Sequence, residues 1–134
     1  MTDPAGSPGR GILDTSVLIG GGVPPIAGEL AICAATVADL HFGVLVATSP
    51  EVRAERLRRL SVIQQQFGAL PVDEAVAASY GRLAAAVVDA GRQPRRRVMD
   101  LLIAATAHAH GARLYTRNPA DFDGLDQLLD VRAV

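Results

Sequence analysis

Short apolar runs of strand length alternate along this chain with longer stretches of helical periodicity, and few folds accommodate that alternation. The runs are Gly11-Ile12-Leu13, Leu30 to Cys33, Ala69 to Val72, Arg113 to Tyr115 and Leu128 to Val131. Each is as long as a strand, and several are bounded by turn residues. Helical signals fill the gaps. Thr36 to Ala47 carries apolar residues at helical spacing behind a Thr suited to cap it. Ser49-Pro50-Glu51 opens a second helix, to about Phe67, with a cap, a first-turn proline and an early acid. Asp73 opens a third, where Val76, Tyr80, Leu83 and Val87 form one stripe and Gly91 ends the run. A fourth begins at Arg97 or Val98 and stops before Gly111. Strands alternating with helices predict an α/β fold, a central, mainly parallel β-sheet flanked by helices in an α/β/α sandwich.

A chain of 134 residues is one domain's worth. Residues 10–134 are expected to form it, behind a Gly/Pro/Ser-rich leader, residues 1–9, expected to be flexible. The lone cysteine, Cys33, excludes an internal disulfide and a cysteine zinc site, and it points to a reducing compartment. No stretch has the apolar core of a signal peptide or the ~20 residues of a membrane span, so a cytoplasmic location with no membrane partner is expected. A net charge of −1 provides no global basic field. All 13 basic residues are Arg, which excludes a P-loop lysine, a Schiff-base lysine and a lysine general base. Of the three histidines, His108 and His110 lie two apart and diverge by about 200° on a helix, so they cannot pair on a zinc ion.

Four carboxylates stand out by position. Asp14, Asp39 and Asp121 each fall just after a strand, which in an open parallel sheet is the ligand-binding rim. Asp100 lies in the first turn of the fourth helix, and its helical neighbours Ile103, Ala104 and Ala107 put it on an apolar, inward face. The neighbours of Asp39 (Phe42, Gly43 and Val46) imply the same for it. Acids so placed need a counter-charge, with Arg117 the only nearby arginine expected on the rim. A divalent cation relieves the repulsion of converging carboxylates, and oxygen-only ligation favours Mg²⁺ or Mn²⁺. Each acid also has a plain structural reading. Asp14 can cap a helix, Thr36-x-x-Asp39 matches a capping box, Asp100 suits a helix N-terminus and Asp121 can close an Asx turn.

Several stretches, in order, resemble a known family. They are Ile12-Leu13-Asp14-Thr15-Ser16-Val17-Leu18-Ile19, Ala35-Thr36-Val37-Ala38-Asp39-Leu40-His41-Phe42-Gly43-Val44, Leu70-Pro71-Val72-Asp73, and Asp100 to Ala107 running on to Thr116-Arg117-Asn118 and Asp121-Phe122. From Gly11 onward the chain resembles a PIN-domain ribonuclease of the VapC type, the toxin of bacterial type II toxin–antitoxin pairs. The resemblance implies a metal-dependent endoribonuclease using Mg²⁺ or Mn²⁺. Its acids map onto Asp14, Asp39, Asp100 and Asp121, with Asp14 and Asp100 as metal ligands. Thr15, Ser16, Thr116 and Asn118 would support them. The implied partners are an RNA substrate, a second copy in a homodimer, and a cognate VapB-type antitoxin that blocks the site, extending to larger toxin–antitoxin assemblies.

Arg95, Arg96, Arg97 and Arg117 are candidates to hold the RNA backbone, although a triple Arg also reads as a solvated loop. The Arg-rich helix from Arg53 to Arg59 reads as a solvated or partner-facing surface. One departure from the pattern is Asp39, where the family usually has Glu; its reach is about 1.3–1.5 Å shorter. Asp123 is a rival to Asp121 for the fourth position. Two alternatives stay open: a catalytically weakened module that binds antitoxin or RNA, and a phosphatase or DNA nuclease on the same rim.

Overall fold

The structure is a computed structural model that describes residues 9–19 and 22–134. The expected leader, Gly9 apart, and Gly20-Gly21 lie outside the described residues. Five strands form one sheet: β1 (Arg10–Leu13), β2 (Glu29–Cys33), β3 (Gly68–Leu70), β4 (Arg113–Thr116) and β5 (Val131–Ala133). Their order is β3-β2-β1-β4-β5 and every neighbouring pair is parallel. Parallel strands covered on both faces are apolar on both faces. Adjacent residues of one strand accordingly enter opposite cores. Leu13 and Ile32 pack with Val17, Leu18 and Ile63 on one side. Ile12, Cys33 and Leu114 pack with Val76, Leu83, Val87 and Leu101 on the other.

The helices are α1 (Thr15–Leu18), α2 (Ala34–Leu45), α3 (Pro50–Gln66), α4 (Glu74–Asp89) and α5 (Val98–Ala109). Local chemistry sets most of their ends. Ser49 Oγ accepts the Val52 N–H at the start of α3, and Asp73 Oδ1 accepts the Val76 N–H at the start of α4. Past the end of α4, Gly91 takes φ +77°, a left-handed turn that favours glycine. The Val76, Leu83 and Val87 stripe is buried core, with Tyr80 packed at its edge.

The structure corrects several expectations. The cap of α2 is Cys33, whose Sγ accepts the Ala35 N–H, and not Thr36, which is the helix's third residue and is fully buried. Sγ is fixed in turn by the Thr106 hydroxyl at 3.1 Å, so the lone cysteine ties α2 to α5. β3 ends at Leu70, before Pro71, which has no N–H to offer a ladder. The last strand is Val131–Ala133 and not Leu128 to Val131. The amides of Leu128 and Leu129 instead close turns onto the Leu125 carbonyl. The single turn of α1 is too short to register as periodicity.

This strand order places a topological switch point at the centre of the sheet. From β1 the chain builds outward through β2 to β3, then returns to β1's other edge with β4 and β5. Beyond the carboxyl ends of β1 and β4 the connections diverge and leave a crevice, the usual ligand position in open parallel sheets. Asp14 leaves β1 into that crevice, its N–H donating to the Tyr115 carbonyl of β4 at 2.9 Å.

Candidate active site

Asp14 occupies the N-cap position of α1, but its side chain caps nothing. The carboxylate is 3% exposed and is held by hydroxyls. Ser16 Oγ donates to Oδ2 at 2.7 Å, and Thr116 Oγ1 donates to the same oxygen at 2.8 Å. The backbone steers these hydroxyls in turn. The Arg117 N–H donates to Ser16 Oγ and the Asn118 N–H to Thr116 Oγ1, each at 3.0 Å. Among the described residues these neutral hydroxyls, and no arginine, make the hydrogen bonds to the Asp14 carboxyl. Among the described residues Oδ1 accepts no hydrogen bond.

Asp39 and Asp100 lie within reach of the Asp14 charge. Asp100, in the first turn of α5, is pushed up to about 6 from 3.8 by burial, then by the charges of Asp14 and Asp121; Arg97 opposes this and Asp39 adds to it. Asp39 on α2 is raised by burial and by Asp14, with the Thr15 hydroxyl pulling it back. Asp121, in the single 3₁₀ turn Pro119–Phe122, is met by Arg97, whose Nη1 bonds its carbonyl at 2.9 Å and its Oδ1 at 3.3 Å. Asp100 therefore feels the other three carboxylates, and Arg97 is the cation that opposes them there. Thr15 Oγ1 donates to the buried Thr36 hydroxyl at 3.1 Å, pinning the start of α1 to α2.

Among the described residues no three His, Cys, Asp or Glu side chains stand close enough to form a ready coordination shell. An all-oxygen donor set of this kind fits Mg²⁺, which keeps several waters and takes one or two carboxylates, better than it fits zinc.

Other sequence expectations change at this rim. Asp39 is half-buried, but Phe42 and Val46, expected beside it on an inward face, are 66% and 51% exposed. Because α2 is apolar nearly all round, residue spacing could not identify its buried side. Arg117 is not the rim's only arginine, because Arg97 is there too. Arg117 Nη2 bonds the Gly22 carbonyl at 2.9 Å, while Arg95 and Arg96 are exposed. Asp123 points elsewhere and pairs with Arg92 at 3.4 Å, so Asp121 is the acid that faces Asp100. Asn118 contributes its backbone N–H.

Two residues escaped sequence reasoning. Arg56 and Arg59 of α3 line a cleft of about 440 Å³ that also contains Thr15, Ile19, Asp39 and Leu40. The signal was present. Arg56 and Arg59 each stand four residues before a buried residue, Leu60 and Ile63, and so lie on the inward side of α3.

The PIN domain family model matches residues 12–127. Ribonuclease VapC5 of Mycobacterium tuberculosis is 34% identical over 134 residues, covering 96% of each chain. A crystal structure of VapBC-5 from the same species, a member of the VapBC family of toxin-antitoxin systems, superposes with a TM-score of 0.78 at 33% identity, covering 93% of this chain and 97% of that one. FitAcB from Neisseria gonorrhoeae gives a TM-score of 0.74 at 27% identity, over 90% and 95% of the two chains. The chain belongs to the PIN-domain family, and within it to the VapC group. The fold expected from the sequence is the fold of these relatives.

Proposed function

We propose that this protein is a metal-dependent endoribonuclease, the toxin of a VapBC-type pair, neutralised by a cognate VapB-type antitoxin. One observation supports the reading: at the switch point of a PIN fold the charges of Asp14, Asp121 and Asp39 all push the Asp100 carboxyl up, and Arg97 opposes them there. A carboxylate cluster left so nearly uncompensated is costly without a ligand cation.

Asp14 and Asp100 are the residues that would hold Mg²⁺ or Mn²⁺, with Asp39 and Asp121 beside them. Such an ion neutralises charge on a phosphodiester and activates water for hydrolysis. The chain's own contribution is positional. Ser16 and Thr116 fix the Asp14 carboxylate, and the Arg117 and Asn118 amides fix those hydroxyls. Asp100 would hold a proton up to about pH 6, so a cation would compete with that proton and metal affinity would rise with pH until the group is ionised. The exposed apolar residues Phe42, Leu45 and Val46 on α2 suit cover by the antitoxin or by a second copy in a homodimer.

The test is cleavage of structured RNA by folded, antitoxin-free protein with Mg²⁺, with Mn²⁺ and with EDTA, beside Asp14→Asn and Asp100→Asn. Cleavage that needs the ion and falls at least 100-fold in both variants is expected. Cleavage that persists in EDTA and in both variants overturns the reading. Absence of cleavage, with RNA still bound, favours the catalytically weakened binding module, for which the short reach of Asp39 speaks.

A further inference from the structure

The cleft beside Asp39 is lined by charges of both signs. Asp39 and Thr15 line it from α2 and α1 and Arg56 and Arg59 from α3, with the apolar Leu40 and Leu60 among them. Neither guanidinium forms an ion pair with Asp39 or with any other acid among the described residues. Opposite charges that share a cleft without pairing accommodate a ligand that bridges them. Their roles differ. Arg56 is anchored, because its Nη1 donates to the Gly43 carbonyl at 2.7 Å and so fixes α3 against the last turn of α2. Arg59 makes no hydrogen bond to protein among the described residues, although it lines the cleft. The other rim arginines are engaged, Arg97 with Asp121 and Arg117 with the Gly22 carbonyl.

We propose that Arg59, with Arg56 supporting it, binds a backbone phosphate of the RNA next to the scissile one and draws the strand along the α2–α3 cleft onto the acids. The inference rests on the nuclease reading above and adds the direction in which the substrate enters. The chemistry fits: a planar guanidinium grips phosphate through two parallel N–H donors, and the apolar lining gives a flanking sugar or base a surface without hydrogen-bond demands. Arg59 is thus a positioning residue that touches substrate away from the reacting atoms.

The experiment uses full-length protein and a fluorescent random-sequence single-stranded RNA pool. In the cleavage assay, Arg59→Ala is expected to raise KM about tenfold with kcat nearly unchanged, and Arg59→Lys to recover part of the loss. In the Asp100→Asn background, Arg59→Ala is expected to weaken binding of the pool and to make the slope of log Kd against log salt shallower by about 0.7, the loss of one phosphate contact on a single strand. Arg58→Ala, one position along the same helix and paired with Glu55, is the control expected to change neither. A wild-type KM and salt slope in Arg59→Ala overturn the proposal, as does weakened antitoxin binding with RNA kinetics intact, which would make the α3 side a protein contact. If the wild type itself neither cuts nor binds RNA, the nuclease reading fails first. If it cuts in a metal-dependent manner while Arg59→Ala is unaffected, only this inference fails.

Discussion

The two ends of the sheet manage charge in opposite ways. At the amino ends of the strands, charges are matched. Arg10 at the start of β1 faces Glu29 at the start of β2 at 3.9 Å, and Asp130 before β5 is bracketed by Arg113 at 3.4 Å and Arg132 at 2.8 Å. Those two arginines hold the Asp130 carboxyl below its ordinary value. At the carboxyl ends the same kind of group, Asp100, feels three other acids against one arginine and is pushed up to about 6. A chain with net charge −1 had arginines enough to balance both ends. The imbalance therefore follows from where they were placed, and carboxyls perturbed in this way are characteristic of functional sites.

The largest effect expected from this contrast is on activity, with stability moving the opposite way. Asp100→Asn removes cleavage but relieves repulsion. In the wild type the folded pKa of about 6 lies above the unfolded value of 3.8, so the native state holds the proton more tightly. The penalty is absent below about pH 4, grows as pH rises to about 6 and is constant above that. Without divalent cation, urea titrations should show Asp100→Asn about 1 kcal/mol more stable than wild type at pH 7 and equal to it at pH 4, the shift being discounted for partial exposure. Millimolar Mg²⁺ should erase the difference by stabilising only the wild type. A variant less stable than wild type at pH 7 would mean that Asp100 is not crowded.

Next in size is the scaffold beneath the acids. Thr116 is fully buried and serves both Asp14 Oδ2 and the Asn118 amide. Thr116→Val keeps the shape and strands both partners, with an expected loss of about 1–3 kcal/mol by denaturant unfolding. Ser16→Ala, at a half-buried and wetter site, should cost less. Equal, negligible losses from both would show that the hydroxyl network does not hold Asp14.

These contrasts also explain what could be read in advance. β1 and β2 are legible because each ends in a buried apolar run, and β4 because its short apolar pair follows the Gly111 turn. β5 is not, because Val-Arg-Ala on an edge carries no such mark, while the apolar Leu128-Leu129 beside it serves a turn that buries Leu129. Asp14, Asp39 and Asp121 are legible as rim acids because strand ends alone determine that position. The inward side of α2 is not, since a helix apolar nearly all round has no periodic contrast. Nor are the partners of Arg97 and Arg117, which are tertiary contacts made by long side chains to a 3₁₀ turn and a loop carbonyl.

The shortened acid gives a smaller test. Asp39→Glu adds about 1.3–1.5 Å of reach toward three acids that do not yet form a coordination shell. It should lower the Mg²⁺ concentration for half-maximal cleavage by about threefold to tenfold. An unchanged metal requirement would mean that Asp39 acts through water or not at all.

The smallest effect lies at the matched end, where its sign is the reverse of that for Asp100. The Asp130 carboxyl is stabilised as an anion, first by the Arg132 hydrogen bond and then by the charges of Arg132 and Arg113. Its folded pKa lies below the unfolded one, so its contribution is present above about pH 4 and is lost as pH falls through the folded value. The side chain is half exposed, and solvent screens the pair. Asp130→Asn should therefore cost about 0.5 kcal/mol at pH 7, less at high salt and nothing near pH 2. Asp100→Asn is expected to be more stable than wild type at pH 7 and Asp130→Asn less stable. If both variants shifted stability in the same direction there, the division of charge between the two ends would not be the cause.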